Sequence, residues 1–212
     1  MLIHHTASMT RKATGVYGGV PAEQRVARRR EQLLEACLDS LGEIGWQRTS
    51  VRGICEGAGL NPRYFYESFS SLDELVVAVF DRIAEDAARS VEEALAQAPP
   101  TMSGQIGAIV RGFTVATTED PRKARVAFVD ALGSDALMRR RLDAIHAIAE
   151  TIAAVALSFH DDLDPRVAAV NAQLLAGGVI QAIIAWIEGR LDIDREALIE
   201  RCTTLVVASV AI

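Results

Sequence analysis

The sequence predicts an all-α protein of about nine helices, with a three-helix helix-turn-helix head followed by a larger helical domain. Three observations predict it. Alanine occurs 34 times in 212 residues and proline only 6 times, a composition suited to helix interiors. Aromatic residues make up 5%, and the apolar/polar alternation of half-buried strands is missing. Apolar residues recur instead at three- and four-residue spacing, between residues that cap helices. Half of the residues are apolar, enough for a sizeable core. The composition excludes a collagen-like, disordered or disulfide-stapled chain.

Residues 1–20 read as a flexible arm, broken by Gly15, Gly18 and Gly19 before Pro21, with Arg11 and Lys12 as its cations. The first helix spans about Ala22 to Ile44, carrying Val26, Leu33, Leu34, Cys37, Leu41 and Ile44 on one face. Gly45 stops it, and Trp46 is expected to pack beneath the next helix. A short helix follows from Val51 to about Ala58, capped by Ser50. Gly59 supplies the positive φ of a tight turn. Asn61 and Pro62 then form the cap and first position of a third helix ending near Ser68. Ser71 and Glu74 have the spacing of a capping box, starting a helix that ends before Pro99-Pro100. Five more helices are expected near 102–118, 121–132, 135–159, 165–189 and 194–211. Asp120-Pro121 and Asp164-Pro165 are two of the starts, and Gly133 and Gly189 two of the stops. The domains divide accordingly into 1–20, 21–71 and 72–212.

The two short helices joined at Gly59 behind a longer one have helix-turn-helix spacing. Cys55 is small where the helices cross, Leu60 and Phe65 wedge the second helix, and the polar residues around them point outward. The run from Thr49 through Phe69, with Phe65, Tyr66 and Phe69, and its continuation Ser70-Ser71-Leu72-Asp73-Glu74-Leu75 resemble the DNA-binding signature of the TetR (TetR/AcrR) family of transcriptional regulators. The resemblance implies a homodimeric repressor that binds a palindromic double-stranded DNA operator and is released when its second domain takes up a small ligand. Two residues depart from the family pattern. Leu72 stands where a lysine usually meets a phosphate, and Glu67 lies beside the expected DNA backbone, where it accepts from a cytosine amino group or pairs with a nearby arginine.

A second helix of this kind puts its N-terminal residues into the major groove. Arg63 is placed to read guanine in bidentate fashion, with Asn61, Tyr64 and Ser68 beside it. Tyr66 resembles the family's phosphate-binding tyrosine. Thr49 and Ser50 can offer hydroxyls to phosphate, Arg52 can reach a base edge or a phosphate, and Arg28 and Arg29 are backbone-contact candidates. The charge balance agrees in sign: residues 1–71 hold 9 Arg/Lys against 7 Asp/Glu, and residues 72–212 hold 13 against 21.

In the larger domain, polar or aromatic residues on apolar helices are the ligand-binding candidates: Phe113, Phe128, His146, Asn171, Gln173 and Trp186. They fit a small, largely apolar effector. Arg139, Arg140 and Arg141 read as a solvated charge run. Leu174, Val179, Ile183, Trp186 and Ile187, with Leu198, Cys202, Leu205 and Val206, are too apolar to face water, so a homodimer through the helices near 165–189 and 194–211 is expected, with Gly177-Gly178 permitting close approach. The 21 uncharged residues between Arg166 and Glu188 have a membrane span's length, but Asn171, Gln173 and Gln181 and the acidic flank favour a helix buried in protein, with no membrane partner. Cys37, Cys55 and Cys202 form no CxxC pair and no metal set, and no secretory signal opens the chain, so a reducing, cytoplasmic setting is expected. No GxSxG, HExxH or glycine-rich phosphate loop occurs, so neither enzymatic activity nor a cofactor or metal is expected. The competing reading is a helical small-molecule or protein-binding module with a weakened DNA-binding head.

Overall fold

Helix-capping chemistry sets most of the architecture. The computed structural model describes residues 21–128 and 135–210, and these form nine α-helices and no strand. They are α1 (Ala22–Ile44), α2 (Val51–Gly57), α3 (Pro62–Ser68), α4 (Leu72–Gln97), α5 (Met102–Thr118), α6 (Pro121–Phe128), α7 (Asp135–Phe159), α8 (Pro165–Ile187) and α9 (Arg195–Ser209), with a 3-10 turn at Trp46–Arg48. The arm at 1–20 with Arg11 and Lys12, the end of the helix expected at 121–132 and the stop at Gly133 lie outside the described residues.

The expected caps form. Ser50 Oγ accepts from Gly53 N at 3.2 Å, and Asn61 Oδ1 from Arg63 N at 2.9 Å. Asp120 and Asp164 do the same for Arg122 N and Arg166 N, at 2.9 and 2.7 Å. At α4 the box is shifted by one residue. Ser71 Oγ accepts from Glu74 N, but Glu74 reaches back to Ser70, taking both its N–H (2.7 Å) and its hydroxyl (2.6 Å). Those two donors hold the Glu74 carboxyl below its ordinary range. α2 ends in a Schellman motif: Leu60 N donates to Cys55 O and Gly59 N to Glu56 O, with Gly59 at φ 64°. The end of α8 repeats the pattern at Gly189.

The head core joins Leu33, Cys37 and Leu41 of α1 to Ile54, Cys55, Phe65 and Phe69, and α4 closes it with Leu75 and Val79, all buried. Trp46 packs half-buried against this core. The head is also tied electrostatically to the second domain. Arg82 of α4 pairs with Glu31 and Glu35 of α1, and Arg122 of α6 pairs with Glu35 and Asp39 of α1 as well as with Asp120. In the second domain α4 and α5 approach so closely that a Cβ on Gly112 would lie 2.9 Å from Ser90 O.

α7 and α8 are both long and apolar enough to cross a membrane, by length and composition alone. α8 and α9 leave large apolar side chains in solvent: Leu174 is 70% exposed, Val170 60% and Leu205 60%. Val179, Ile183, Leu198, Cys202 and Val206, expected on that surface, lie inside the protomer core instead.

Candidate nucleic-acid interface and ligand cavity

The exposed surface of α2 and α3 carries Ser50, Arg52, Asn61, Arg63 and Tyr66, with Arg28 exposed on α1 nearby in sequence to the residues that brace α3. Tyr66 is 64% exposed, its ring set edge-on against Phe65 at 5.2 Å. Arg52 pairs with Glu56 (2.9 Å) and Arg63 with Glu67 (3.2 Å), each one helical turn on. The Glu56 bond raises the Arg52 pKa further above its ordinary value. Such exposed pairs contribute little, so a phosphate or guanine can displace the glutamate at little cost. Glu67 also accepts from Arg29 at 3.4 Å. The arginine pairing expected for Glu67 is thus present.

Three expected DNA contacts, Thr49, Arg29 and Tyr64, are turned inward. Thr49 is buried, and its hydroxyl donates to Gly45 O at 2.9 Å and bonds Ser40 at 3.0 Å. It locks the turn into α2 rather than offering an oxygen outward. Arg29 lies over the Tyr64 ring, 4.3 Å from its centroid, and bonds Glu67. Arg29 and Tyr64 are thus half-buried against each other and brace α1 on α3. Arg30 does the same over Phe69 at 4.2 Å, and it donates to the carbonyl of half-buried Ser68 at 3.3 Å.

The second domain holds a cavity of about 440 Å³ bounded by α4, α5, α6, α7 and α8, within the range of roughly 300–1,000 Å³ that small ligands occupy. Its walls are largely apolar. Phe80, Ile83 and Val91 contribute from α4, Ile109 and Phe113 from α5, Phe128 from α6, Ile148 from α7 and Ile180 from α8. Phe113 and Phe128 meet edge to face at 6.2 Å. The other four expected ligand residues are elsewhere. His146 Nδ1 and Gln173 Oε1 bond each other at 3.0 Å on an exposed seam between α7 and α8. Asn171 donates to Val210 O, and Trp186 Nε1 donates to Ile193 O at 2.8 Å, fastening the turn into α9. Each satisfies its polar atom within the scaffold, which is why a polar residue on an apolar helix did not mark the cavity here.

The cavity's charged wall comes from the arginine run that the sequence marks as solvated surface. Arg140 and Arg141 of the 139–141 run both line it. Arg140 bonds Asp81 at 2.8 Å, and Arg141 is half-buried and donates to Phe128 O at 3.4 Å. Its sign in the sequence is register: Leu137, Arg141, Ala144, Ile148 and Ile152 follow one face of α7, so Arg141 occupies a core-facing position.

Comparison with known proteins agrees with this layout. Residues 33–79 match the family of bacterial regulatory proteins, tetR family. No curated protein sequence matches the chain. Among solved structures, the fatty acid degradation regulator FadR from Bacillus halodurans is similar with a TM-score of 0.70 at 18% identity, covering 84% of this chain and 94% of that one. FadR from Bacillus subtilis, solved in complex with stearoyl-CoA, is similar at 0.69 and 18%, covering 84% and 97%. A TetR-like regulator from Rhodococcus sp. RHA1 is similar at 0.67 and 20%, covering 85% and 94%. The tetR-family match thus falls on residues 33–79, and the chain as a whole has the fold of these solved regulators.

Proposed function

We propose that this chain, a TetR-type regulator by its head and its fold, is a ligand-responsive repressor that binds a palindromic operator as a homodimer and is released by a small, largely apolar effector. One observation carries the reading: an exposed α2–α3 face bearing Arg52, Asn61, Arg63 and Tyr66 belongs to the same chain as an apolar cavity of about 440 Å³. α6 supports coupling between them. Its last residue, Phe128, walls the cavity, while Arg122 on its first turn pairs with Glu35 and Asp39 of α1 and Arg125 donates to Gly42 O. A ligand that shifts Phe128 acts on α1 through the single short helix α6. Exposed Val170, Leu174 and Leu205 support the dimer, because a two-fold contact removes a patch that a monomer would leave in water. A Cβ on Gly177 or Gly178 would meet nothing within 4 Å, so close approach there is left to a partner. FadR from Bacillus subtilis, with its stearoyl-CoA, supports a ligand with a long apolar chain.

The test is operator affinity on DNA from upstream of the chain's own gene, across a salt series, with and without dodecanoate or dodecanol. Binding should weaken as salt rises, with a slope of roughly 0.9 per phosphate contact, and one of the amphiphiles should release the DNA. Binding indifferent to salt overturns the proposed interface. Binding indifferent to both amphiphiles, at concentrations that saturate the cavity, overturns the coupling.

A further inference from the structure

The cavity's charges are distributed unevenly between wall and rim. Asp81, Glu85, Glu92, Arg140, Arg141 and Asp143 are its ionisable lining. Glu85, Glu92 and Asp143 are exposed. Asp81 and Arg140 neutralise each other at 2.8 Å. Arg141 differs from all of these. It is half-buried, and among the described residues no carboxylate lies within ion-pair distance of it. A guanidinium carries five N–H donors, and one of them makes a single long bond, 3.4 Å, to Phe128 O. Burial lowers the Arg141 pKa from its ordinary value. A charge kept out of water without a partner is destabilising, whereas an entering anion would restore the missing partner through charge-assisted hydrogen bonds.

We propose that Arg141 is the anion anchor of this cavity, and that the ligand is a single-chain amphiphile with one carboxylate, its carboxylate on Arg141 and its chain between Phe80, Phe113, Phe128 and Ile180. This rests on the reading of the cavity as the effector site. The acidic rim narrows the class further. A head group bearing several phosphates, as in an acyl-CoA, has to lie outside the cavity beside Glu85, Glu92 and Asp143, where Arg141 is the one lining guanidinium that no carboxylate among the described residues pairs. A compact carboxylate passes that rim with one charge. The free acid anion is accordingly favoured over its CoA thioester, in contrast to the stearoyl-CoA held by FadR from Bacillus subtilis.

The experiment measures dissociation constants of dodecanoate, dodecanol and dodecanoyl-CoA for the full chain and for Arg141→Gln. Glutamine removes the charge and shortens the side chain while leaving an uncharged amide donor. Dodecanoate should bind the wild-type chain roughly 10- to 100-fold more tightly than dodecanol, and more tightly than dodecanoyl-CoA. Arg141→Gln should lose that preference and keep its affinity for dodecanol, which also shows that the variant is folded. Equal affinity for acid and alcohol, a preference that survives in Arg141→Gln, loss of dodecanol binding along with dodecanoate in the variant, or tightest binding of dodecanoyl-CoA overturns the anchor. Dodecanol binding with no gain for the acid leaves the cavity reading standing and removes the anchor. No binding by any of the three removes both.

Discussion

Leu72→Lys separates two roles that sequence alone leaves open at the start of α4, a missing phosphate contact and a core wedge. Leu72 is half-buried and packs against the head core. Fully burying a leucine contributes about 1.5–3 kcal/mol, so half-burial contributes about 1 kcal/mol. An ammonium in the first turn also opposes the helix dipole, costing about 0.3–1 kcal/mol, where Asp73 and Glu74 now complement it. The lysine stem can cover part of the vacated surface while its ammonium stays in water. The net loss should therefore be about 1–2 kcal/mol, or roughly 2–8 °C in melting temperature for a chain of this length. Calorimetry gives the melting temperature, and an operator titration across salt gives the number of phosphates engaged. The expected result is a lower melting temperature with an unchanged salt slope. An unchanged melting temperature with a slope steeper by about 0.9 would refute the wedge and restore the missing contact.

Arg63→Ala should lose about 1–3 kcal/mol of base discrimination if Arg63 reads guanine, with little change in stability because its pair with Glu67 is exposed; equal weakening on every sequence, measured by competition binding, would make it a phosphate contact. Leu174→Arg places a charge on the exposed apolar stripe of α8 and should yield monomers by sedimentation, with helicity retained; an undisturbed dimer would move the interface off this stripe. Arg122, as hydrogen-bond donor first and cation second, holds the Asp120 carboxyl below its ordinary range. Its contribution is therefore complete above the unfolded aspartate pKa of about 3.9 and is lost as pH falls through the lower folded value. Asp120→Asn should flatten the decline of urea midpoints below about pH 4, and an unaltered acid limb would count against the Arg122 network as a stabiliser.

The head was legible because its determinants are local. Ser50, Asn61 and Ser71 each accept from a backbone N–H two or three residues on, and Gly59 turns the chain within the same stretch, so a reader needs no knowledge of distant residues. Side-chain direction was less legible. Thr49 and Ser50 look alike in sequence, yet Ser50 caps α2 from the surface while Thr49 bonds inward to Gly45 and Ser40. Likewise the arginines of α1 read alike, and only the packing of α1 on α3 shows that Arg29 and Arg30 stack on Tyr64 and Phe69.

The cavity failed to appear in sequence for a different reason. A cavity is space that several helices leave between them, and its walls here come from Phe80 to Ile180, a hundred residues apart. Phe80 and Ile83 belong to the same apolar stripe as Leu75 and Val79, which pack the head; nothing in the stripe marks where packing stops and the cavity starts. Polarity then misleads, because His146, Asn171, Gln173 and Trp186 all find partners in the scaffold. Arg141 is the exception that register exposes. A full charge at a position whose helical neighbours Leu137 and Ile152 are almost completely buried must be paired, reach solvent or meet a ligand. Half-buried in an apolar wall with no carboxylate beside it among the described residues, Arg141 is left with the last two. A charged residue in phase with a core stripe is therefore a better sign of a ligand cavity in such helices than a neutral polar one, which the scaffold can satisfy by itself.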